Sequence, residues 1–156
     1  MRATVGLMSL KIRPARRSDL ESLIALLQQL SLDDPREDAG KLSAYEAAFV
    51  DVDADSRQTL LVAVEDGIVV GTAAFIVIPN LSHAGRPYAI VEDVVVDETR
   101  RGRGYGEALM RRAVDMAREA GCYKLVLTSN RQRTDAHRFY ERLGFTASHY
   151  GFRMDF

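Results

Sequence analysis

Apolar positions recur along the chain with two different periods, and the places where the period changes mark its elements. Leu10 to Arg16 alternates apolar and basic residues before a proline, the pattern of a short strand closing in a turn. Ser18 stands three residues before Glu21, the spacing of a capping box, and Leu20, Leu23, Ile24, Leu27 and Leu30 then recur at helical spacing. The acidic stretch from Ser31 to Gly40 breaks that helix at Pro35, and Leu42, Tyr45, Phe49 and Val52 predict a second one. Two β-rich runs, Leu60 to Glu65 and Ile68 to Ile78, are separated only by Asp66-Gly67, a dipeptide of tight hairpin turns.

After a loop from Pro79 to Pro87, Tyr88 to Val96 reads as a strand too apolar at its end for a sheet edge, and it is placed centrally. Arg100 to Gly106 is glycine-rich and opens a helix with Leu109, Ala113, Met116, Ala117 and Ala120 on one face, ended by Gly121. Lys124 to Thr128 is the next buried strand, Thr134 to Leu143 a short helix stopped by Gly144, and Phe145 to Ala147 and Phe152 to Phe156 are predicted strands. Strand 88–96, the glycine loop, helix 103–120 and strand 124–129 form a βαβ unit whose strands should lie parallel. The sum is a mixed α/β domain with helices on both sheet faces. It is expected to be a single domain over residues 1–156, with 1–9 a ragged lead-in.

Composition narrows what such a domain can do. Twenty-one Lys and Arg against 22 Asp and Glu give a net charge of -1, too little for a general hold on nucleic acid or an anionic membrane. Any site for a polyanion must therefore be local. With 47% apolar and 28% charged residues the chain is neither disordered nor a coiled coil. The single Cys122 excludes an intramolecular disulfide, and three histidines form no cluster of zinc-site spacing, so no metal is expected. No run reaches the ~18 apolar residues of a membrane helix, and the start lacks the apolar core and cleavage site of a signal peptide. A cytoplasmic location follows as the expectation.

The glycine loop stands between a strand end and a helix start, where unpaired N–H groups and the helix dipole favour anions. Gly102, Gly104 and Gly106 let a phosphate approach the backbone, and Arg100, Arg101 and Arg103 add charge. The plainer reading of the same residues is a turn with solvated arginines. A dinucleotide site would need G-x-G-x-x-G and an acid at the end of the next strand, but the spacing is G-x-G-x-G and that strand ends Leu127-Thr128-Ser129-Asn130. No Gly-Lys-Ser/Thr follows to make a P-loop.

Arg101 to Gly106 resembles the R/Q-x-x-G-x-G/A acetyl-CoA signature of the GNAT family of N-acetyltransferases, preceded as usual there by a Val94-Val95-Val96-Asp97 strand end. A second stretch, Ala136 to Phe145, is similar to that family's A-x-x-x-Y-x-x-x-G-F helix and strand. The resemblance covers most of the chain from Leu10 onward. It implies the GNAT fold, a central mixed and mostly antiparallel sheet with a splayed parallel pair. It implies acetyl-CoA as co-substrate, a small amine as acceptor, and homodimers, which are common in the family. The backbone of Val94, Val95 and Val96 would bond the pantetheine arm, beside a bulge that parts the strand from its parallel neighbour. The N–H groups from Arg101 through Gly102, Arg103, Gly104 and Tyr105 to Gly106 would hold the pyrophosphate. An Asn that the family commonly carries for the cofactor arm is Arg133 here, with Asn130 three residues earlier as the substitute; Arg133 could instead meet phosphates or an anionic substrate.

Acetyl transfer to an alkylamine needs a base, because an amine of pKa about 10 is mostly protonated at neutral pH, and an acid for the departing thiolate. By its place in the second signature Tyr140 corresponds to the family's catalytic acid. Glu92 and Asp93, adjacent acids on an apolar strand, are the candidates at the amine: Glu92 as ligand or base, directly or through water, and Asp93 in support. The Val94 N–H is the candidate oxyanion donor. The nearest motif likenesses are aminoalkylphosphonate and glucosamine-6-phosphate acetyltransferases, whose acceptors carry a phosphorus oxyanion. A Ser129–His137–Asp135 hydrolase fails, because Asp135 and His137 point to different sides of a helix and no G-x-S-x-G elbow exists. The remaining alternatives are an acyl-CoA-binding regulator without turnover and a peptide or protein acetyltransferase. Near-zero net charge conceals a division: arginines gather around 100–112 and 131–142, acids at 33–55 and 92–93.

Overall fold

The computed structural model describes residues 9–30 and 38–156, which leaves the expected break at Pro35 and all but the last residue of the lead-in outside it. The chain divides into two compact units, one through Val126 and one from Leu127 to Phe156.

The first unit is built on strands β1 (Leu10–Pro14), β2 (Gln58–Glu65), β3 (Ile68–Ile78), β4 (Tyr88–Val96) and β5 (Leu125–Val126), in that order across one sheet. The first four pair antiparallel in sequence, while β4 and β5 are parallel and joined by the crossover helix α4 (Tyr105–Glu119). Helix α1 (Leu20–Leu30) and helix α2 (Leu42–Ala54) lie between β1 and β2, and a short turn, α3 (Ser82–Gly85), left-handed at His83 and Ala84, lies between β3 and β4. The mixed, mostly antiparallel sheet with one parallel pair is the architecture the sequence implied.

Register assigns each side chain to a face, because residues directly opposite on antiparallel strands project to the same side. Val62 pairs with Thr72, and Leu60 with Ala74, which in turn faces Glu92. That face meets α1 and α2: Leu20, Leu23, Ile24 and Phe49 bury against Val62 and Val64. The opposite face takes α4, whose Leu109, Met110 and Ala113 have no exposed surface. Gly71 lies on this side because of space: an added Cβ would stand 3.1 Å from the Val95 carbonyl oxygen and 3.2 Å from Leu109 Cδ1.

Helix α1 is entered differently from the expected Ser18–Glu21 capping box. A 3-10 turn over Arg17–Asp19 precedes it, and Asp19 Oδ2 accepts the Arg16 N–H at 2.7 Å. The same carboxylate receives both arms of Arg13, at 2.7 and 3.0 Å, and so ties β1 to the helix start. The sequence spacing pointed to a local hydroxyl; a charged bidentate partner across the turn is stronger and takes the position.

The second unit holds α5 (Thr134–Arg142). Its C-terminus is a Schellman motif: Phe145 N–H reaches the Tyr140 carbonyl at 3.1 Å, Gly144 N–H reaches that of Glu141 at 3.0 Å, and Gly144 has φ 96°. The strands expected at 145–147 and 152–156 are not formed. Tyr150, Phe152, Met154 and Phe156 do alternate as a strand would, but all are exposed, and a period of two cannot make a strand without an edge to pair with.

Replacing Asp19 with Asn should cost about 2 kcal/mol, since it leaves Arg13 without its charged partner. Arg13 and the Arg16 N–H hold the Asp19 carboxyl below the usual range against a desolvation that acts the other way. Its contribution is therefore complete above the unfolded pKa near ~4 and fades as pH falls through the lowered folded value. Denaturant midpoints at pH 7 and pH 3 check this: wild type and variant should converge at the lower pH.

Candidate functional site

The site grows from one irregularity in β4. Thr72 faces Val95 and Ala74 faces Glu92, so Ala73 alone opposes both Asp93 and Val94. Asp93 absorbs the extra residue with φ 52°, a left-handed conformation that costs a residue with a Cβ about 1–2 kcal/mol. This is the bulge expected of the strand. It separates the adjacent acids: Glu92 is half-buried on the α1–α2 face and Asp93 is exposed. Burial first, and then the charge of Asp93, push the Glu92 carboxyl up from its ordinary value, which makes it a better proton acceptor.

Beyond the bulge the strand has an open side. Strand β5 pairs with β4 only at Ala89 and Ile90, and among the described residues of this unit Val91 to Val96 gain no further strand on that edge. Outward-pointing N–H and C=O groups there can pair with an extended ligand as another strand would. The Val95 side chain is buried, while Val94 and Val96 are half-buried. The Val96 carbonyl also receives Arg101 Nε at 3.2 Å.

The glycine loop that follows is clamped from beneath. Glu65, 2% exposed at the end of β2, accepts hydrogen bonds from the Tyr105 hydroxyl and from Arg100, with Arg103 at 3.9 Å. The Tyr105 hydroxyl, followed by Arg100, holds the Glu65 carboxyl below its ordinary value, although desolvation opposes this. From the other side Gln29 Oε1 receives the Glu98 N–H at 2.9 Å. Gly102 and Gly104 have φ 78° and 83°, with nothing within 4 Å of where a Cβ would be. The first-turn N–H groups of α4, from Tyr105, Gly106 and Glu107, have no partner within the helix. Tyr105 can thus offer a ligand only its backbone, while Arg101 and Arg103 remain exposed.

Glu65 escaped the sequence reading, which took it as the end of a hairpin strand. Its one signal was a carboxylate closing an otherwise apolar run.

In the second unit Tyr140 is 9% exposed, its ring 5.2 Å from Phe139 and 6.0 Å from Phe145. Asn130 works locally: its Oδ1 accepts the Gln132 N–H at 2.9 Å, and its carbonyl lies 2.8 Å from His137 Nε2. A carbonyl only accepts, so His137 carries its proton on Nε2 and braces the turn into α5. Arg133 is half-buried at the N-cap of that helix. Ser129 Oγ is buried without a partner among the described residues, a state that costs roughly 1–3 kcal/mol unless a ligand answers it. Among the described residues no group of three His, Cys, Asp or Glu could hold a metal ion.

Residues 23–145 match the family described as the acetyltransferase (GNAT) family. The chain is 34% identical to a glucosamine 6-phosphate N-acetyltransferase of Trypanosoma brucei brucei, over 96% of this chain and 97% of that one. It is 31% identical to an aminoalkylphosphonate N-acetyltransferase of Salmonella typhimurium, over 91% and 88% of the two chains. A solved structure of an acetyltransferase from Agrobacterium tumefaciens superposes with a TM-score of 0.84 at 39% identity, covering 93% and 99%.

Replacing Glu65 with Gln should lower the melting temperature at pH 7 and open the loop to trypsin at Arg100, Arg101 and Arg103. A lowered carboxyl pKa stabilises above its unfolded value and loses that effect as pH falls through the folded one. Melting curves of wild type and variant should therefore approach each other below about pH 4; a gap that stayed constant with pH would show that the Glu65 charge has no part in the clamp.

Proposed function

Because the chain belongs to the acetyltransferase (GNAT) family, we propose that it moves an acetyl group from acetyl-CoA to the primary amine of a small molecule, by direct attack with both substrates bound. The observation that carries this reading is the β4 bulge, which puts a half-buried carboxylate, Glu92, next to an unpaired strand edge at Val94–Val96. That edge would pair with the pantetheine arm, and the N–H groups from Arg101 to Gly106 would take the pyrophosphate. Acetyl-CoA supplies a thioester whose carbonyl carbon accepts the amine.

Glu92 removes the amine proton, directly or through water, with Asp93 raising its basicity. The Val94 N–H, beside the bulge, would donate to the developing oxyanion. Tyr140 protonates the departing thiolate. Asn130 still has its Nδ2 donors to offer the cofactor arm, and Arg133 and the orphaned Ser129 hydroxyl are the other candidates in that stretch. The two units would act as one domain, a reading supported by the family match running across both.

The names of the relatives specify amines that carry phosphorus oxyanions, and we take an acceptor of that kind as the substrate. A cytoplasmic location accords with there being no helix, among the described residues, long and apolar enough to cross a membrane. A homodimer would cover the alternating exposed side chains Tyr150, Phe152, Met154 and Phe156. Deleting residues 149–156 should then shift sedimentation from dimer to monomer.

Thiol release from acetyl-CoA against a panel of phosphorylated amines, polyamines and peptides tests the activity. Tyr140→Phe should lower kcat about 100-fold with little change in the KM for acetyl-CoA. For Glu92 the base form is required, so kcat/KM should rise with pH through a value above the ordinary carboxylate range. Glu92→Gln should remove that limb and about two decades of rate. Acetyl-CoA binding without turnover on any amine would instead identify a regulator.

A further inference from the structure

Arg101 is placed differently from the arginines beside it. Arg100 is committed to Glu65 and Arg103 approaches the same carboxylate. Arg101 pairs with no carboxylate among the described residues, and its Nε donates to the Val96 carbonyl at 3.2 Å. The chain is turned to allow this. Glu98–Arg100 form a 3-10 turn, with the Thr99 N–H on the Asp97 carboxylate at 2.9 Å and the Arg100 N–H on the Asp97 carbonyl at 2.9 Å. Arg101 leaves that turn extended, at φ -64° and ψ 158°, and its side chain reaches back to the end of β4.

The register shows which way the Val96 carbonyl points. Along an antiparallel pair, residues that exchange hydrogen bonds alternate with residues that turn both polar groups away from the partner strand. The Asp97 N–H bonds the Val70 carbonyl at 2.9 Å, so Asp97 opposite Val70 is a bonded rung and Val96 opposite Gly71 is not. Both polar groups of Val96 therefore face away from β3, to the side where pairing with β5 stopped at Ile90. The acceptor that Arg101 covers is the last one that β4 offers an extended ligand.

A guanidinium on that carbonyl makes the edge unequal toward different ligands. A ligand that brings only amides must displace Arg101, and it returns one hydrogen bond for the one it breaks. A ligand whose chain continues into a pyrophosphate gives the displaced guanidinium an anionic partner that it can meet with two N–H groups. We propose that Arg101 sets donor specificity by this exchange: its side chain leaves the Val96 carbonyl for the donor's pyrophosphate, so the edge opens to a pantetheine thioester that carries one and resists one that does not. This rests on the acetyl-CoA reading of the edge and the loop. Selectivity then comes from the contact Arg101 blocks as well as from the one it makes, and the two halves of the donor bind cooperatively.

NMR titration of the full chain with pantetheine, inorganic pyrophosphate and CoA, for wild type and Arg101→Met, tests the exchange. Methionine keeps an unbranched stem and removes every donor. The substitution should tighten pantetheine about threefold and weaken CoA about tenfold, shifts of opposite sign that a residue serving phosphate alone would not produce. Saturating pyrophosphate should tighten pantetheine by a similar factor in wild type and have no such effect in Arg101→Met. Pantetheine affinity that is indifferent to both Arg101 and pyrophosphate, or weakened by the substitution, overturns the proposal. Thiol release with acetyl-CoA and the amine panel separates it from the activity. A wild type that shows the exchange yet acetylates no amine defeats the proposed reaction and leaves the role of Arg101 standing. A chain that binds neither CoA nor pantetheine defeats both.

Discussion

One more residue in β4 than β3 can pair with governs the local geometry of the candidate site. Without it, alternation would put Glu92 and Val95 on opposite faces; with it, they share one. The same insertion turns Asp93 out to solvent and lets Glu92 stay partly desolvated, and burial followed by the Asp93 charge pushes the Glu92 carboxyl up. It also follows closely on the last rung shared with β5. A strand that is inverted, re-aimed and unpaired within a few residues can serve as a surface for chemistry while its first half remains ordinary sheet.

Charge is handled by the same economy. The arginines of the glycine loop are not all available to an anion: Arg100 is spent on Glu65, and Arg103 approaches it. That buried carboxylate would be costly alone, and the tyrosine hydroxyl and guanidinium that satisfy it are what hold the loop in shape. Phosphate binding at the proposed cofactor loop would therefore rest more on backbone N–H groups than on the count of basic residues. The near-zero net charge is consistent with this, since an anion site of this kind needs no excess of cations.

How much of this was legible follows from the range of the forces involved. The bounds of β3 and β4, the parallel pair and the glycine stop of α5 rest on periodicity and backbone conformation, and the sequence displays both. The Tyr140 position is legible for a further reason: Gly144 and Phe145 close the helix onto its carbonyl and ring, so the motif is in the first place a capping motif. Glu65 was not legible, because its partners are 35 and 40 residues away and no spacing rule connects them. Asp19 outcompeted Ser18 through Arg13, a strand residue that local capping rules do not consult. The C-terminal alternation was seen correctly and still misled, since pairing depends on an edge elsewhere.

Gly71 joins the two sides of the sheet. The volume of a methyl group there would press on Leu109 of α4 in one direction and on the Val95 carbonyl in the other. The wall of the proposed pantetheine groove is thus backed by a clearance of tenths of an ångström, located behind the sheet and out of reach of any ligand. Drift at that position would displace the Val95 carbonyl without changing any residue of the proposed groove. The groove can be tuned by evolution, or by an engineer, from a place no survey of its lining would visit.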